Sequence, residues 1–337
     1  MPSKRVTVKD IAELAGVSVA TVSRVINQNG RYSAETELRV RQVIEKYDYQ
    51  PNQLAKGLRQ RKTDAIGITV PNISNEFFAN MVLAIQRRLF DEGRSLTIYN
   101  TNSSLDMERQ CHALLAAQNV SGIISVNSRE DVRAALKRPT PTVYIDRFIE
   151  DKDLGSKVVS ISSDNVCGGR LAAEELLRAG CRKLVAITAS ANSPVTEMRT
   201  RGFVEYAASC GVELSDERIV LSRETSYAQG REAMAGILGS GIEFDGVFCQ
   251  TDWLAMGALE VLGEHGVRVP EDVCVVGYDD ILISRFGRPP LTTVRQDSTR
   301  IGERAAEMII QMTRGDAPSE QRIVLPVELV RRESVRR

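Results

Sequence analysis

The sequence predicts an α/β protein, with a small all-α unit at its N terminus and a body built on parallel sheets. Two observations lead to this prediction. Residues 1–62 contain amphipathic helical segments and no strand pattern, whereas apolar strands alternate with helical segments from Asp64 onward. Strands that alternate with helices form parallel sheets covered on both faces. A length of 337 residues is enough for two or three domains with a large core.

Charge is distributed unevenly along the chain. Residues 1–62 hold 12 Lys and Arg against 6 Asp and Glu, which gives this segment a net charge of +6. Because the whole chain has a formal net charge of zero, the remainder carries −6. A basic head on an acidic body indicates a polyanionic partner at one end of the protein.

Several classes of protein are disfavoured by composition. The six cysteines are far apart and form no CxxC pair, and His112 and His265 are the only histidines. This pattern favours reduced core thiols over a zinc site or a disulfide framework. No apolar run approaches the roughly 18 residues of a membrane helix, and the N terminus has no signal-peptide core. We therefore expect a cytoplasmic protein with no membrane partner, metal or cofactor.

The head is predicted to form three capped helices. Thr7 and Ser18 can cap the first and second, with Gly16 as the turn residue between them, and Ser33 can cap the third. This pattern is typical of a DNA-binding helix-turn-helix, with an ordinary three-helix bundle as the alternative. The residues predicted to face inward are Ile11, Leu14, Val22, Val25, Ile26, Val40, Val43, Ile44 and Tyr47.

The outer face of the second predicted helix has short side chains, which let its backbone approach a DNA groove closely. Val19 or Ala20 can contact a thymine methyl group, and Arg24 can reach a guanine edge or a phosphate. The head residues predicted to contact DNA are Thr7, Ser18, Val19, Ala20, Thr21, Ser23, Arg24, Asn27 and Tyr32.

A basic segment, residues 51–62, follows the head. It has room for about two helical turns, but Gly57 and a narrow apolar face make such a helix unstable alone. We predict a hinge helix that folds against DNA, with a flexible linker as the alternative. Leu54 and Leu58 form an apolar ridge suited to a base step or to a second copy of the chain. The predicted DNA contacts here are Asn52, Leu54, Ala55, Lys56 and Leu58.

Two segments, TVKDIAELAGVSVATVSRVIN (7–27) and YSAETELRVRQVIEKYDYQPNQLAKGL (32–58), resemble the lac repressor (LacI/GalR) family of bacterial transcription regulators. The resemblance runs the length of the chain. It implies double-stranded operator DNA as a partner, with Leu58 as the wedge at a kinked central base step. The sequence stops without a leucine-heptad tail, so we expect a homodimer rather than a tetramer.

The body is predicted to have two α/β lobes with several crossovers, which create a hinged cleft. Ligands bind such folds at the carboxyl ends of the strands. The arrangement resembles the periplasmic sugar-binding fold, which the family uses as its effector domain. The predicted domains are a head (1–50), the hinge segment (51–62) and a body (63–337), with lobes of about 63–163 plus 294–325 and 164–293 plus 326–337.

Loops after the predicted strands supply candidate effector contacts. Carboxylates and a guanidinium suit vicinal hydroxyls because they make charge-assisted hydrogen bonds, and an aromatic ring can stack on a sugar. The family resemblance singles out Arg199 and Asp279 as effector-hydroxyl contacts and Asp146 as a further one. The alternatives are a core position for Phe77 or Phe78 and a capping role for Asp252. The full predicted set is Asn75, Phe77, Phe78, Asp146, Arg147, Arg199, Thr251, Asp252, Asp279 and Gln296.

Enzymatic motifs are missing from the sequence. It has no GxxxxGK[ST] loop or GxSxG elbow, and GSGIEF (239–244) has Phe244 where a dinucleotide motif needs glycine. We therefore predict a DNA-binding transcriptional repressor, not an enzyme. Its operator affinity is expected to be controlled by a small-molecule effector bound in the cleft.

A sugar is the predicted effector. PNISNEFF, VYIDR and SSDNVCGGRLA resemble the ribose- and sucrose-operon regulators. Thr251-Asp252 stands where many family members have Asn-Asp, so effector identity does not transfer directly. The alternatives are a sugar-binding transport protein, and a corepressor-dependent regulator that responds to a non-sugar ligand.

Overall fold

The structure, a computed structural model, describes residues 6–49, 64–147, 149, 155–188 and 193–337. It divides into two compact units, Met1–Thr63 and Asp64–Arg337, here called the head and the body. Among the helices it describes, none is long and apolar enough to span a membrane.

The described part of the head, residues 6–49, contains three helices, and their predicted caps are confirmed. They are α1 (Val8–Leu14), α2 (Val19–Asn27) and α3 (Ala34–Lys46). The side chains of Thr7, Ser18 and Ser33 each accept a hydrogen bond from the backbone N–H three residues further on. Gly16 has φ +62°, as a turn between two helices requires.

The head core differs in detail from the predicted one. Leu14 and Tyr47 were predicted to face inward and are 49% and 40% exposed. The small residues Ala12 and Ala15 are buried in the head core instead of Leu14. Val19, predicted to lie outside, packs partly against this core. The buried residues are Ile11, Ala12, Ala15, Val22, Val25 and Val40.

The first lobe of the body is built on six parallel strands. In spatial order these are β11 (Arg322–Leu325), β5 (Val158–Ser163), β4 (Thr142–Ile145), β3 (Gly122–Val126), β1 (Ala65–Val70) and β2 (Ser95–Asn100). Its helices are α4 (Glu76–Asp91), α5 (Leu105–Ala117) and α10 (Ser298–Arg314), with a short 3-10 turn at Val132–Ala135.

The second lobe repeats this plan with one antiparallel strand at its edge. The spatial order is β12 (Glu328–Val330), β10 (Thr292–Arg295), β9 (Cys274–Asp279), β8 (Gly246–Cys249), β6 (Leu184–Thr188) and β7 (Ile219–Leu221), and only β12 runs antiparallel. Its helices are α6 (Asn165–Arg178), α7 (Pro194–Ser209), α8 (Tyr227–Ser240) and α9 (Asp252–Glu264), with 3-10 turns at Asp216–Arg218 and Leu282–Arg285.

The chain passes between the two sheets after β5, after β10 and after β11. The first and third crossings are joined, since the backbone N–H of Asp164 donates to the carbonyl of Leu325 at 2.9 Å. Val294 and Arg295, placed with the first lobe in the prediction, pair within the second sheet. The predicted head with a body of parallel sheets is confirmed, and the crossings bring the carboxyl ends of both sheets to one cleft.

Candidate functional sites

Four predicted effector contacts gather at the carboxyl ends of strands on both sides of the cleft. Asp146 follows β4, Asp279 ends β9, and Gln296 follows β10, while Arg199 projects from α7. All four are at least nine-tenths buried. Because ligands bind such folds at strand carboxyl ends, these four residues form the centre of a candidate effector site.

Arg199 occupies a fixed position in this group. Its Nε donates to Oδ1 of Asn165 at 2.9 Å, and its Nη1 donates to the carbonyl of Gln250 at 2.8 Å. The guanidinium carbon lies 3.7 Å from the centre of the Tyr278 ring, a cation–π contact. Nη1 is also 3.9 Å from Oδ1 of Asp279. Because these contacts fix the Arg199 guanidinium, its remaining N–H donors keep a fixed orientation.

Close packing of α6 against α7 places Arg199. A Cβ on Gly169 would lie 2.0 Å from the backbone oxygen of Arg199, and a Cβ on Gly202 would lie 2.0 Å from that of Val166. Neither position tolerates a side chain without a shift of the helices. These two glycines therefore bring Asn165, at the start of α6, within hydrogen-bonding reach of Arg199.

Asp146 and Asp279, the two carboxyl groups at the centre of the site, are buried where the ionised form is disfavoured. Burial raises the pKa of Asp146 and of Asp279 to about 6, although the charge of Arg199 opposes the shift in both. Both residues also have positive φ, +56° for Asp146 and +106° for Asp279. Strained backbone and desolvated charge at one place are typical of functional sites.

Several buried polar atoms in this region have no hydrogen-bond partner within the described part of the chain. They are Oδ1 of Asp146, Oγ of Ser163, Oγ1 of Thr196 and Oε1 of Gln296. Buried polar groups are normally paired, so a cluster of such atoms indicates that a ligand satisfies them. One of these residues, Gln296, lines a cavity of about 280 Å³ together with Asp279 and residues of α4.

The two lobes are in contact across this cleft. The carboxylate of Glu76 accepts a hydrogen bond from the backbone N–H of Leu282 at 2.8 Å. Ile281 is buried within the first-lobe core, and Trp253 and Ile283 pack against that core. Trp253 is the only tryptophan in the chain. Its fluorescence therefore reports on the cleft without an added probe.

Three other predicted contacts from this set serve the fold in this structure. Asn75 caps α4, with its side chain accepting from the N–H of Phe77. Phe77 is 5% exposed and belongs to the first-lobe core, where its ring meets Phe78 edge-on at 5.3 Å. Phe78 is partly buried against the same core. Both rings therefore occupy core positions, but Phe77 also lines the 280 Å³ cavity, so its contact with the effector stays a prediction.

The remaining predicted contacts lie beside the site or away from it. Thr251, not Asp252, caps α9. Asp252 is fully buried, and its carboxylate accepts from Oγ1 of Thr293 at 2.6 Å and from the N–H of Ile281 at 2.9 Å. Arg147 turns to the opposite face of the first sheet, 5.6 Å from the Tyr144 ring.

Sequence reasoning missed the groups that hold Arg199, namely Asn165, Gln250 and Tyr278. Asn165 and Ser163 flank the end of β5, which the sequence analysis did not predict. The segment VVSISS has three serines, which weaken its strand signal. The usable signal was the Asp-Asn pair that follows, because Asp164 caps α6.

Some of the predicted DNA contacts lie on the outer face of the head, whereas Val19 and Tyr32 pack partly against its core. Ser18, Ala20 and Arg24 are exposed on and beside α2. The Ser18 hydroxyl accepts from the N–H of Thr21 at 3.1 Å and shares a 2.9 Å hydrogen bond with its hydroxyl. The side chain of Asn27 and the predicted contacts in residues 51–62 lie outside the described residues.

Comparison with known proteins covers both units. Residues 7–52 match the family model "Bacterial regulatory proteins, lacI family", and residues 173–335 match "Periplasmic binding protein-like domain". The transcriptional regulator GalR of Escherichia coli K12 is 33% identical over 98% of this chain and 95% of its own length. The chain belongs to the lacI family of bacterial regulatory proteins. As a LacI-family member it is a DNA-binding transcriptional repressor with a periplasmic-binding-protein-like effector domain.

Other relatives of this LacI-family repressor are also repressors. The ribose operon repressor of Bacillus subtilis is 30% identical over 98% of this chain and 99% of its own. The repressor PurR of Pasteurella multocida is 32% identical over 98% of both chains. Among solved structures, a lac repressor dimer bound to operator and the anti-inducer ONPF matches with a TM-score of 0.88 and 29% identity, covering 99% of this chain and 100% of the other.

Proposed function

We propose that the chain is a cytoplasmic, homodimeric repressor without enzymatic activity, and that a sugar bound in the interlobe cleft sets its affinity for operator DNA. Asp146, Arg199, Asp279 and Gln296 bind the sugar hydroxyls. The observation that carries this proposal is the cluster of buried, unpartnered polar atoms around the clamped Arg199. The operator Kd measured with and without the sugar distinguishes induction from corepression.

The charges of the site favour an uncharged polyol. Three guanidinium groups lie at this site, those of Arg199 and of the cavity-lining Arg285 and Arg295. When ionised, the carboxylates of Asp146, Asp279, Glu76, Asp280 and Asp297 outnumber them, so an anionic ligand meets net repulsion. A sugar hydroxyl donates to a carboxylate and accepts from a guanidinium or an amide. Groups of both kinds are present within a small volume, which suits neighbouring hydroxyls on one ring.

A purine is the second candidate, because PurR is a relative. A flat base requires an aromatic face on which to stack. The Tyr278 ring is fully buried and covered by Arg199, and Phe77 is 5% exposed. The Trp253 and Phe78 rings are partly exposed and pack against the first-lobe core, so the preference for the sugar rests on the polar groups around Arg199.

A ligand screen tests the proposal directly. Purified protein is titrated with pentoses, hexoses, disaccharides, sugar phosphates and nucleobases, and Trp253 fluorescence and the melting temperature are recorded. We expect one or more neutral sugars to bind, and Asp279→Asn to weaken that binding at least tenfold, about 1.4 kcal/mol. Asp216→Asn, at an exposed position in the same lobe, is the matched control. Binding of a nucleobase alone would replace the sugar by the second candidate.

Exposed apolar side chains support the homodimer. On the first lobe these include Leu83, Phe90 and Ile98, which are 48%, 78% and 43% exposed, and on the second lobe Leu221 and Phe286, which are 60% and 69% exposed. Large apolar residues exposed together often mark protein interfaces. Sedimentation should give twice the chain mass of 37.2 kDa, and a monomer at micromolar concentration would contradict the proposal.

Arg24→Ala is expected to weaken operator binding while leaving stability unchanged. Arg24 is exposed at the DNA-facing side of α2, so its loss removes a base or phosphate contact worth about 1–3 kcal/mol. The measurement is fluorescence anisotropy with an operator selected from random duplexes. Arg41→Ala on the neighbouring helix α3, where Arg41 pairs with Glu37, is the control. Equal loss in both variants would assign the effect to net charge alone.

Effector affinity is expected to rise with pH between 5 and 7.5. Charge-assisted bonds to the sugar need ionised carboxylates, and Asp146 and Asp279 have pKa values of about 6. Each group is only about one-tenth ionised one unit below its pKa. Fluorescence titrations at the two pH values test this, with Asp279→Asn expected to flatten the dependence. An affinity independent of pH would contradict a role for these carboxylates.

The same two groups act on stability in the opposite direction. Their folded-state pKa values lie above the ordinary aspartate value of 3.8, so the folded protein binds protons more tightly than the unfolded chain. Their contribution to stability is therefore present below about pH 4 and is lost as pH rises through about 6. A bound sugar that pairs with both carboxylates offsets this cost at neutral pH.

A further inference from the structure

A second cavity, of about 750 Å³, lies in the second lobe beside the end of α6 and the segment after β12. Its wall contains the four arginines Arg178, Arg331, Arg332 and Arg337 and the two glutamates Glu175 and Glu333. Pro290 and Val335 add apolar surface. The cavity is therefore rich in guanidinium groups and partly apolar, unlike the effector cleft.

Glu175 holds two of these guanidinium groups side by side. Its carboxylate accepts from Nε and Nη2 of Arg178 at 3.0 and 2.7 Å, and Nε of Arg331 lies 3.0 and 3.1 Å from its two oxygens. The Glu175 side chain is 2% exposed. Burial alone would raise its pKa, but the bonds from both arginines lower it, so this carboxylate is ionised.

The wall holds four guanidinium groups against the carboxylates of Glu175 and Glu333, and Arg332 is paired with Asp280, so an excess of one positive charge remains. Nη1 of Arg178 and both Nη atoms of Arg331 have no hydrogen-bond partner among the residues that the structure describes. These side chains are 45% and 61% exposed. Arg337 is exposed and, within the same described part, also has no acceptor. The buried carboxylate of Glu175 holds the free donors of Arg178 and Arg331 in place, which reduces the side-chain entropy lost when a ligand binds.

Arg332 connects this cavity with the effector cleft. Its guanidinium pairs with the carboxylate of Asp280 and donates to Oγ of Ser284 at 3.0 Å and to the carbonyl of Leu291 at 2.7 Å. Asp280 adjoins Asp279, the proposed effector contact. An anion in the cavity competes with Asp280 for Arg332, so its binding affects the backbone next to Asp279.

We propose that this cavity is a second ligand site, which binds the phosphoryl group of a small phosphorylated metabolite. Planar guanidinium groups bind phosphate oxygens through paired N–H donors, and the apolar wall accommodates the organic part. The binding site itself is independent of the proposed sugar function. Only its coupling to the cleft through Arg332 and Asp280 rests on that function.

Calorimetry tests the site without sugar or operator, so that its failure leaves the effector proposal unaffected. The probes are phenyl phosphate and inorganic phosphate, titrated into the full chain at constant ionic strength. We expect one saturable site, with phenyl phosphate bound more tightly than inorganic phosphate because of Pro290 and Val335. Equal affinity for the two would identify a site for free phosphate and overturn the metabolite proposal.

Variants locate the binding. Arg331→Gln and Arg337→Gln are expected to weaken phenyl phosphate binding at least tenfold, whereas Asp216→Asn, at an exposed position of the same lobe outside the cavity, leaves it unchanged. Arg201→Gln, at an exposed arginine on α7 outside the cavity, is the matched control. Arg337 makes no hydrogen bond or ion pair with the described residues. Its replacement should therefore leave the fold intact, which keeps the test valid even if Arg331→Gln unfolds. The absence of saturable binding at millimolar probe would overturn the proposal. So would equal loss in Arg201→Gln.

Discussion

Arg199→Ala is expected to abolish the response to sugar and to lower the free energy of unfolding by about 3–5 kcal/mol, the usual cost of removing one partner from a buried ion pair. Arg199 is 5% exposed, and it is the cation that opposes the raised pKa of both Asp146 and Asp279. Its removal leaves two buried carboxyl groups without a counter-charge and the oxygens of Asn165 and Gln250 without their donor.

Urea unfolding and Trp253 fluorescence titration measure these two effects separately. Arg201→Ala, two residues along the same helix and exposed, is the control and should behave like the parent protein. Arg199→Lys adds a second comparison, since it keeps the charge but loses the planar donor geometry. We expect it to recover part of the stability and little of the sugar binding. Normal sugar affinity in Arg199→Ala would remove Arg199 from the site.

Gly202→Ala is expected to destabilise the body by about 1–3 kcal/mol or more, the range for overpacked cores. The added Cβ would lie 2.0 Å from the backbone oxygen of Val166, a contact that only separation of α6 and α7 relieves. Since α7 carries Arg199 and α6 carries Asn165, the shift should also lengthen their hydrogen bond. Sugar affinity is therefore expected to fall together with stability.

Gly236→Ala on α8 is the matched control for Gly202→Ala. Nothing lies within 4 Å of the Cβ that it would add, and the position is exposed. Alanine there should be neutral or stabilise the helix by about 0.5–1 kcal/mol. Thermal unfolding of the two variants side by side checks the argument. A Gly202→Ala variant as stable as the parent protein would show that α6 and α7 separate at little cost.

Local features of the sequence predicted local features of the structure. Thr7, Ser18 and Ser33 cap helices because a hydroxyl before a helical run satisfies a free backbone N–H, and no distant residue is needed for that. The position of Leu14 depends on how three helices pack together, which periodicity in a seven-residue helix does not determine. It was accordingly predicted on the wrong side.

In the candidate site too, local features could be predicted from the sequence and long-range contacts could not. Asp146 and Asp279 could be selected from the sequence because they end strands, and strand ends in a parallel sheet share one edge. The roles of Tyr278 and Asn165 depend on contacts with Arg199 across 79 and 34 positions. Phe77 was selected for its chemistry, but helix α4 turns it into the core. Side-chain direction at a helix start depends on tertiary packing, and the sequence does not display it.

We propose that ligand occupancy at Asp279 controls DNA binding by the head. The most direct test is the operator affinity of the full chain, measured by anisotropy with and without the sugar that the fluorescence screen identifies. We predict that the saturating sugar changes the operator Kd by at least about fivefold in the parent protein, the lower end of allosteric coupling. In Asp279→Asn the operator Kd should not change. An unchanged operator Kd in the parent protein, with sugar binding proven by Trp253 fluorescence, would contradict the account.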